Sequence, residues 1–152
     1  MKKEIVLTSP AGPVLVTLDG RHILGTEPYE GASSPDESPE YSTLREALWT
    51  CSGCPEGYTL ETKPVKWAPH FWDELARIPI GQIVTYGELA QRLGLPRHAR
   101  AVGRALNSNL TAILLPCHRV VASGGIGGFG WGVDRKIRLL QHEQTLISKQ
   151  SS

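Results

Sequence analysis

The tripeptide Cys117-His118-Arg119 carries the side chains with the clearest potential for covalent chemistry. A thiolate is the nucleophilic form of cysteine, and a neighbouring positive charge such as Arg119 is expected to lower the thiol pKa from about 8.5. The tripeptide follows Pro116 and the apolar run Ile113-Leu114-Leu115, which we predict to be a buried strand or extended segment. Because adjacent residues on an extended chain point to opposite faces, Cys117 and His118 need a turn or a bridging water to communicate. The pattern predicts either a reactive cysteine or a small buried one.

The residues upstream of this segment predict two helices joined by a turn. Thr85 and Glu88 have the spacing of a capping box, which predicts a helix that ends near Leu93. Gly94-Leu95-Pro96 breaks that helix, and a second one is predicted over residues 97–106, with Val102, Ala105 and Leu106 on its inner face. The pair has the outline of a helix-turn-helix, in which the second helix lies along a DNA groove.

Three arginines, Arg97, Arg100 and Arg104, share one face of the predicted second helix at spacings of three and four residues. Like charges at these spacings cost an isolated helix a few tenths of a kcal/mol each, and a bound polyanion would remove that cost. The residues between them are small, which lets a helix backbone approach a groove closely: Ala99, Ala101 and Gly103. The pattern favours DNA binding over the alternative, an ordinary solvated basic face.

The near-neutral net charge of +1 hides an asymmetry along the 152 residues. Residues 1–76 hold six basic and twelve acidic side chains, or −6, whereas residues 77–152 hold ten and three, or +7. A basic half suits a phosphate-binding surface, although two halves that neutralise each other across an interface would give the same counts. No run approaches the roughly 20 apolar residues of a membrane span, and the start of the chain does not resemble a signal peptide, so we expect a cytoplasmic protein with no membrane partner.

The pattern along the chain predicts an α+β (α/β) fold with two domains. Residues 1–66 are expected to form a small antiparallel sheet over 4–26, an exposed connection over 27–40 and a short helix from Tyr41 to Trp49 that turns Leu44 and Leu48 inward. Residues 67–152 are expected to form a mainly helical domain containing the helix-turn-helix. Its first helix begins near residue 67, with Pro69 in the first turn.

Two further segments follow the reactive tripeptide. The glycine-rich loop over residues 124–132 predicts close backbone approach to a flat ligand, with a flexible linker as the alternative. Val133, Ile137 and Leu140 predict one apolar helix face, which places Glu143 near the helix C-terminus, where the macrodipole disfavours a carboxylate.

Cys51 and Cys54 form a single C-x-x-C pair. Free thiols, a local disulfide and half of a metal site are all compatible with this spacing. Structural cysteines are favoured over zinc because no histidine lies nearby at ligand spacing.

Several ordered motifs over residues 67–143 resemble the O6-alkylguanine-DNA alkyltransferase family. They are Arg100-Ala101-Val102-Gly103, Asn109, Pro116-Cys117-His118-Arg119-Val120, the glycine-rich loop and Leu139-Leu140-Gln141-His142-Glu143. The resemblance implies a monomer that repairs DNA without a cofactor or bound metal. Such a protein flips O6-alkylguanine, mainly O6-methylguanine, out of double-stranded DNA and transfers the alkyl group irreversibly to a cysteine in one turnover.

The resemblance also implies a role for individual residues. Cys117 would accept the alkyl group, His118 would act as its base through a water, and Glu143 would orient the imidazole. The other roles it implies are a turn held by Asn109, a hydrogen bond or proton given to the leaving guanine by Tyr86, and a gap in the base stack filled by Arg100. The expected DNA contacts are Tyr86, Arg97, Ala99, Arg100, Ala101, Gly103 and Arg104, and the expected pocket residues are Leu106, Val120, Phe129, Gly130 and Trp131.

Two other functions are compatible with these residues. A sensor that binds alkylated DNA and recruits other repair proteins would keep Arg100 and Tyr86 but would not need Cys117. A cysteine hydrolase would use Cys117 and His118 and would turn over repeatedly.

Overall fold

The N-terminal strands form one mixed sheet. In the computed structural model, which describes residues 1–150, β1 (Lys2–Leu7), β2 (Val14–Asp19) and β3 (His22–Pro28) pair antiparallel in chain order. This confirms the antiparallel strands predicted over residues 4–26. A two-residue strand, β4 (Thr59–Leu60), adds to β3 in parallel. Its parallel pairing was not predicted, because two residues are too few to show an alternating pattern.

Helix α1 (Ser42–Thr50) packs on this sheet and closes the first core. Leu44 and Leu48 are fully buried in it, as predicted, together with Val14, Val16 and Leu18 from alternate positions of β2. Residues 27 and 28 of the predicted connection belong to strand β3. Residues 39 and 40 belong to a short 3-10 helix, Pro39–Tyr41. Ile113, Leu114 and Leu139 also lie in this core, so segments from the second half of the chain complete it. The boundary between domains at residues 66 and 67 stays a prediction.

The second core lies between three helices and a two-stranded parallel sheet. The helices are α2 (Phe71–Ala76), α3 (Tyr86–Arg92) and α4 (Ala99–Leu106), and the strands are β5 (Val84–Thr85) and β6 (Val120–Val121). Helix α2 starts later than predicted, and Pro69 lies in the preceding turn rather than in the first helical turn. Two successive turns, closed by bonds from Ala68 N to Val65 O and from Phe71 N to Ala68 O, occupy the residues before it.

Helices α3 and α4 form the predicted helix pair. The capping box is present, with Glu88 N donating to Thr85 Oγ1 at 3.0 Å and Thr85 N donating to Glu88 Oε1 at 3.2 Å. Helix α4 begins at Ala99 rather than at residue 97, so Arg97 lies in the preceding turn and is not on its face. A bond from His98 N to Leu95 O closes that turn after Pro96, which delays the start of the helix.

Helix α5 (Val133–Gln150) presents a different face to the protein from the one predicted. Val133 and Ile137 are exposed, at 40% and 36%, whereas Lys136, Leu139 and Glu143 are fully buried. Glu143 also lies in the middle of the 18-residue helix rather than near its C-terminus, so the expected macrodipole cost does not apply. The apolar pattern was misleading because this helix buries two charged side chains. No helix within residues 1–150 is long and apolar enough to cross a bilayer.

Candidate active site

A tight turn, not the predicted strand, leads into the reactive tripeptide. Leu115 N donates to Thr111 O at 2.9 Å, and Ile113 has a φ of 77°, a left-handed conformation that β-branched residues rarely adopt. Ile113 and Leu114 are each 1% exposed, and their burial in the first core holds the strained backbone in place. The turn therefore fixes where Pro116 and Cys117 begin.

Asn109 holds this turn from inside. Its Nδ2 donates to Leu115 O at 3.0 Å, while its Oδ1 accepts from Thr111 N at 3.1 Å. One side chain thus ties together both ends of the turn, in the manner of an Asx motif.

Cys117, His118 and Arg119 form a single 3-10 turn. On an extended chain Cys117 and His118 would point to opposite faces. The turn instead directs the thiol of Cys117 into a cavity and the other two side chains into the protein interior. Burial raises the pKa of the Cys117 thiol to about 11, although the Asn109 amide and the charge of Lys136 act in the opposite direction. The expected effect of Arg119 on this thiol was wrong, because the guanidinium is bound to Glu143 instead.

Glu143 is the centre of a buried polar network. Nε2 of His118 lies 2.6 Å from its Oε2, and Arg119 donates to it from Nε at 3.0 and 3.1 Å and from Nη2 at 2.9 Å. Gly81 N adds a fourth donor group at 3.2 Å. Burial alone would raise the pKa of Glu143, but the hydrogen bonds and charges of His118 and Arg119 lower it to about 2. The carboxylate is therefore ionised at neutral pH.

This network gives His118 the properties of a general base. Burial lowers its pKa, against the opposite effect of Glu143, so the imidazole is neutral at physiological pH. Since the Glu143 carboxylate can only accept, Nε2 carries the proton and Nδ1 carries the lone pair. Nδ1 is buried and has no hydrogen-bond partner among residues 1–150. It is the atom available to take a proton.

Lys136 is a buried cation that sequence reasoning missed. Its Nζ donates to Val120 O at 2.7 Å and to Gly128 O at 2.9 Å, and burial lowers its pKa to about 8. It therefore links α5 to β6 and to the glycine-rich loop, and it lies close enough to Cys117 for its positive charge to act against the raised pKa of the thiol. The available signal was its position on one helical stripe with Leu139 and Glu143, at spacings of three and four residues.

Cys51 lies beside the buried network of Glu143, His118 and Arg119. The sequence did not reveal this position. The Cys51 carbonyl accepts from Arg119 Nη2 at 2.9 Å, and its Sγ lies within 4.8 Å of possible ligand atoms of His118 and Glu143. Their spacing would suit a metal ion, but the Arg119 guanidinium is bonded to both Glu143 oxygens and repels a cation. Cys51 and Cys54 are free thiols here, and burial raises the pKa of Cys51 to about 12.

A cavity of about 530 Å³ opens in front of Cys117, a size suited to one small ligand. Its walls combine α4, the start of α3 and the glycine-rich loop: Tyr86, Ala99, Arg100, Gly103, Arg104, Leu106, Asn107, Cys117, Gly128, Phe129 and Gly130. Most of the predicted DNA and pocket residues therefore line one cavity. Asn107 and Gly128 also line it, although they were not predicted to. The remaining predicted residues lie elsewhere: Arg97 and Ala101 are outside the lining, Val120 is fully buried, and Trp131 packs against both cores.

Gly127 makes room for Tyr86 in this wall. It has a φ of 73°, and a Cβ at this position would lie 2.7 Å from Tyr86 Oη and 3.0 Å from Ala122 N. Only glycine satisfies both conditions without a shift of the loop or the phenol. The glycine-rich loop is therefore fitted to the ring of Tyr86.

The chain is similar in sequence to proteins of known function. The model of the 6-O-methylguanine DNA methyltransferase DNA-binding domain matches residues 66–145. The methylated-DNA–protein-cysteine methyltransferase of Mycobacterium leprae is 32% identical over 148 residues, which cover 91% of this chain and 90% of that protein. The enzyme of the same name from Candida glabrata is 44% identical over 78 residues, but this match covers only 51% of this chain and 38% of that protein.

Solved structures agree over nearly the whole chain. The structure of Mycobacterium tuberculosis O6-methylguanine methyltransferase superposes with a TM-score of 0.76 at 30% identity and covers 95% of this chain and 94% of that one. Mycobacterium tuberculosis OGT in complex with DNA gives a TM-score of 0.74 at 30% identity, with 93% of both chains covered. On the family model and the near full-length relative together, this chain belongs to the 6-O-methylguanine-DNA methyltransferase family.

Proposed function

We propose that Cys117 accepts the alkyl group of O6-alkylguanine, mainly O6-methylguanine, in a single irreversible turnover on double-stranded DNA. Methyl transfer from methylated DNA to a protein cysteine is the activity of the family. The observation that carries the residue-level proposal is that the Cys117 thiol lines a cavity shared with the arginine-bearing helix α4, while the His118–Glu143 pair lies behind it. A monomeric state stays a prediction, as does a cytoplasmic location.

The buried thiol needs a base, because its pKa lies well above neutral. Nδ1 of His118 takes the thiol proton through a bridging water, and the ionised Glu143 stabilises the resulting imidazolium. Sγ then forms a bond to the alkyl carbon as the bond from that carbon to O6 breaks. The electron pair leaves with guanine, to which Tyr86 donates a hydrogen bond, and the departing base takes up the proton that His118 releases through water. In the net reaction, the thiol exchanges its proton for the alkyl group.

Helix α4 supplies the DNA contacts in this proposal. Arg100 and Arg104 are exposed beside the cavity, and Ala99 and Gly103 leave the helix surface low enough to lie in a groove. Extruding a base costs a few kcal/mol, and Arg100 would offset part of that cost by filling the gap in the stack. Arg97, in the turn before α4, would contact the backbone rather than the bases.

The proposal is tested with duplex DNA that carries one O6-methylguanine labelled in its methyl group. We expect label on the protein to rise to one methyl group per molecule and then stop, with tryptic mass spectrometry placing it on Cys117. Binding without transfer would instead identify a sensor of alkylated DNA, and repeated turnover of an ester would identify a cysteine hydrolase. Either result would overturn the proposal.

Arg100→Ala is expected to slow repair of duplex DNA without slowing reaction with the free base. If Arg100 stabilises the extruded base by about 2 kcal/mol, its removal lowers the rate on duplex DNA roughly 30-fold. Free O6-benzylguanine needs no extrusion, so its reaction with Cys117 should keep the wild-type rate. Rapid-quench measurements with both substrates check this, and an equal loss on both would contradict the assigned role. Arg92→Ala, on α3 and outside the cavity, is the matched control.

A further inference from the structure

A second cleft borders α4 on the other flank of its exposed face. It has a volume of about 400 Å³ and is lined by residues from α4, from the turn after it and from the segment before α2: Lys63, Pro64, Val65, Lys66, Trp67, Ala101, Arg104, Ala105 and Ser108. Arg104 lines this cleft and the cavity in front of Cys117, so the two depressions adjoin along the helix.

Helical geometry fixes how the two depressions relate to each other. At about 100° per residue, Val102, Ala105 and Leu106 define the buried side of α4, and Arg100 and Arg104 lie opposite to it. The cavity in front of Cys117 occupies one side of this arginine ridge, and Ala101 and Ser108 mark the other side. A nucleic acid laid along the ridge would therefore meet both depressions, one on each side.

The outer wall of the cleft is anchored to the second core. Val65 and Ala68 are buried, and the Trp72 indole Nε1 donates to Lys63 O at 2.8 Å. Trp67 is 36% exposed, and its ring centroid lies 5.4 Å from that of His98, the residue that precedes α4. The segment therefore presents its outward side chains from a fixed backbone.

Every charged side chain that lines the cleft is basic. Its lining includes Lys63, Lys66 and Arg104 but no acidic residue. In the part of the chain that the structure describes, none of these three side chains forms an ion pair with a carboxylate. The two lysines belong to the half of the sequence with a net charge of −6, yet the fold places them beside the arginines of α4. Three unneutralised cations around one depression fit a polyanion.

We propose that this cleft holds the sugar-phosphate backbone of the strand opposite the lesion. This inference rests on the proposed function, in which the lesion strand delivers its flipped base to the Cys117 side of α4. With the helix in a groove, the other strand that borders the groove runs along the opposite side of the ridge, where the cleft lies. Lys63, Lys66 and Arg104 contact its phosphates, and the exposed Trp67 indole packs against a deoxyribose.

The double variant Lys63→Ala/Lys66→Ala tests the proposal by the salt dependence of DNA binding. Each phosphate contact adds about 0.9 to the slope of log affinity against log salt on B-form DNA. In a Cys117→Ser background, which prevents reaction, we expect the slope on O6-methylguanine duplex to fall by about 2. On the single-stranded lesion oligonucleotide the slope should not change, because the opposite strand is missing.

The matched control is Lys2→Ala/Lys3→Ala, which removes the same charge from β1 and should leave both slopes as they are. Reaction of Lys63→Ala/Lys66→Ala, with Cys117 intact, with free O6-benzylguanine should keep its rate and confirms that this variant is folded. A duplex slope equal to that of the control, or an equal fall on duplex and single strand, would overturn the inference. Failure of the proposed function is a separate result, since it is read from labelling of the wild-type protein.

Discussion

Replacing Cys117 with serine is expected to abolish methyl transfer while leaving binding to lesion DNA intact. The substitution exchanges one buried atom and leaves Arg100, Tyr86 and α4 unchanged. Sulfur is intrinsically far more nucleophilic than a hydroxyl oxygen, and a serine proton is harder to remove. Because His118 is expected to act through a water rather than in direct contact, it cannot compensate for the weaker nucleophile. Labelled-methyl transfer and gel-shift binding, measured on the same preparation, check both parts of the expectation.

Cys54→Ser is the control for this experiment, since Cys54 is an exposed free thiol outside the cavity. It should accept one methyl group at the wild-type rate. Uptake of label by Cys117→Ser, or loss of label from Cys54→Ser, would contradict the assignment of Cys117 as the acceptor.

Arg119→Met is expected to lower the free energy of unfolding by about 3–5 kcal/mol at neutral pH, the range for a broken buried ion pair. Methionine retains most of the aliphatic volume but removes every donor. Glu143 then loses its paired charge while it stays buried, and the carbonyls of Ile78 and Cys51 lose donors at 2.6 and 2.9 Å. Urea denaturation followed by circular dichroism measures the loss. A change below about 1 kcal/mol, typical of an exposed pair, would contradict the role given to Arg119.

The pH dependence distinguishes a lost charge partner from a general packing defect. The folded-state pKa of Glu143, about 2, is below its ordinary value of 4.5, so its pairing stabilises the fold fully above pH 4.5 and progressively less as the pH falls towards 2. The difference between wild type and Arg119→Met should therefore shrink below pH 4.5. Glu143→Gln removes the charge itself, so adding it to Arg119→Met should cost much less than adding it to the wild type. A pH-independent difference or additive losses would indicate packing alone.

The predictions that succeeded rest on local interactions. The antiparallel strands, the burial of Leu44 and Leu48 in α1, and the Thr85 capping box all follow from side-chain periodicity or from contacts within four residues. Such features need no knowledge of distant segments, because propensity and pattern act over one turn or one strand. The ordered motifs between residues 67 and 143 identified the family for a related reason, since each of them is a short stretch that can be recognised without the tertiary structure.

The errors occurred where distant segments decide the local structure. The apolar run at residues 113–115 forms a turn because Ile113 and Leu114 insert into the core of the N-terminal sheet. The apolar pattern of α5 pointed to the wrong face because Lys136 and Glu143 find partners in β6 and in the 3-10 turn, which lie far away in sequence. A charged side chain is buried only where such partners exist, and periodicity does not reveal them.

The sequence by itself determined the two-helix outline and the charge imbalance between the halves of the chain, and it pointed to Cys117 as the proposed nucleophile and to His118 as its proposed base. Only the tertiary structure decided what surrounds them: Arg119 pairs with Glu143 instead of activating Cys117, Cys51 backs the same network, and Lys63 and Lys66 join the arginines of α4. The physical reason is that pKa values, ion pairs and surface charge depend on distances in space. These distances are set by packing between segments that can be more than 60 residues apart in the chain.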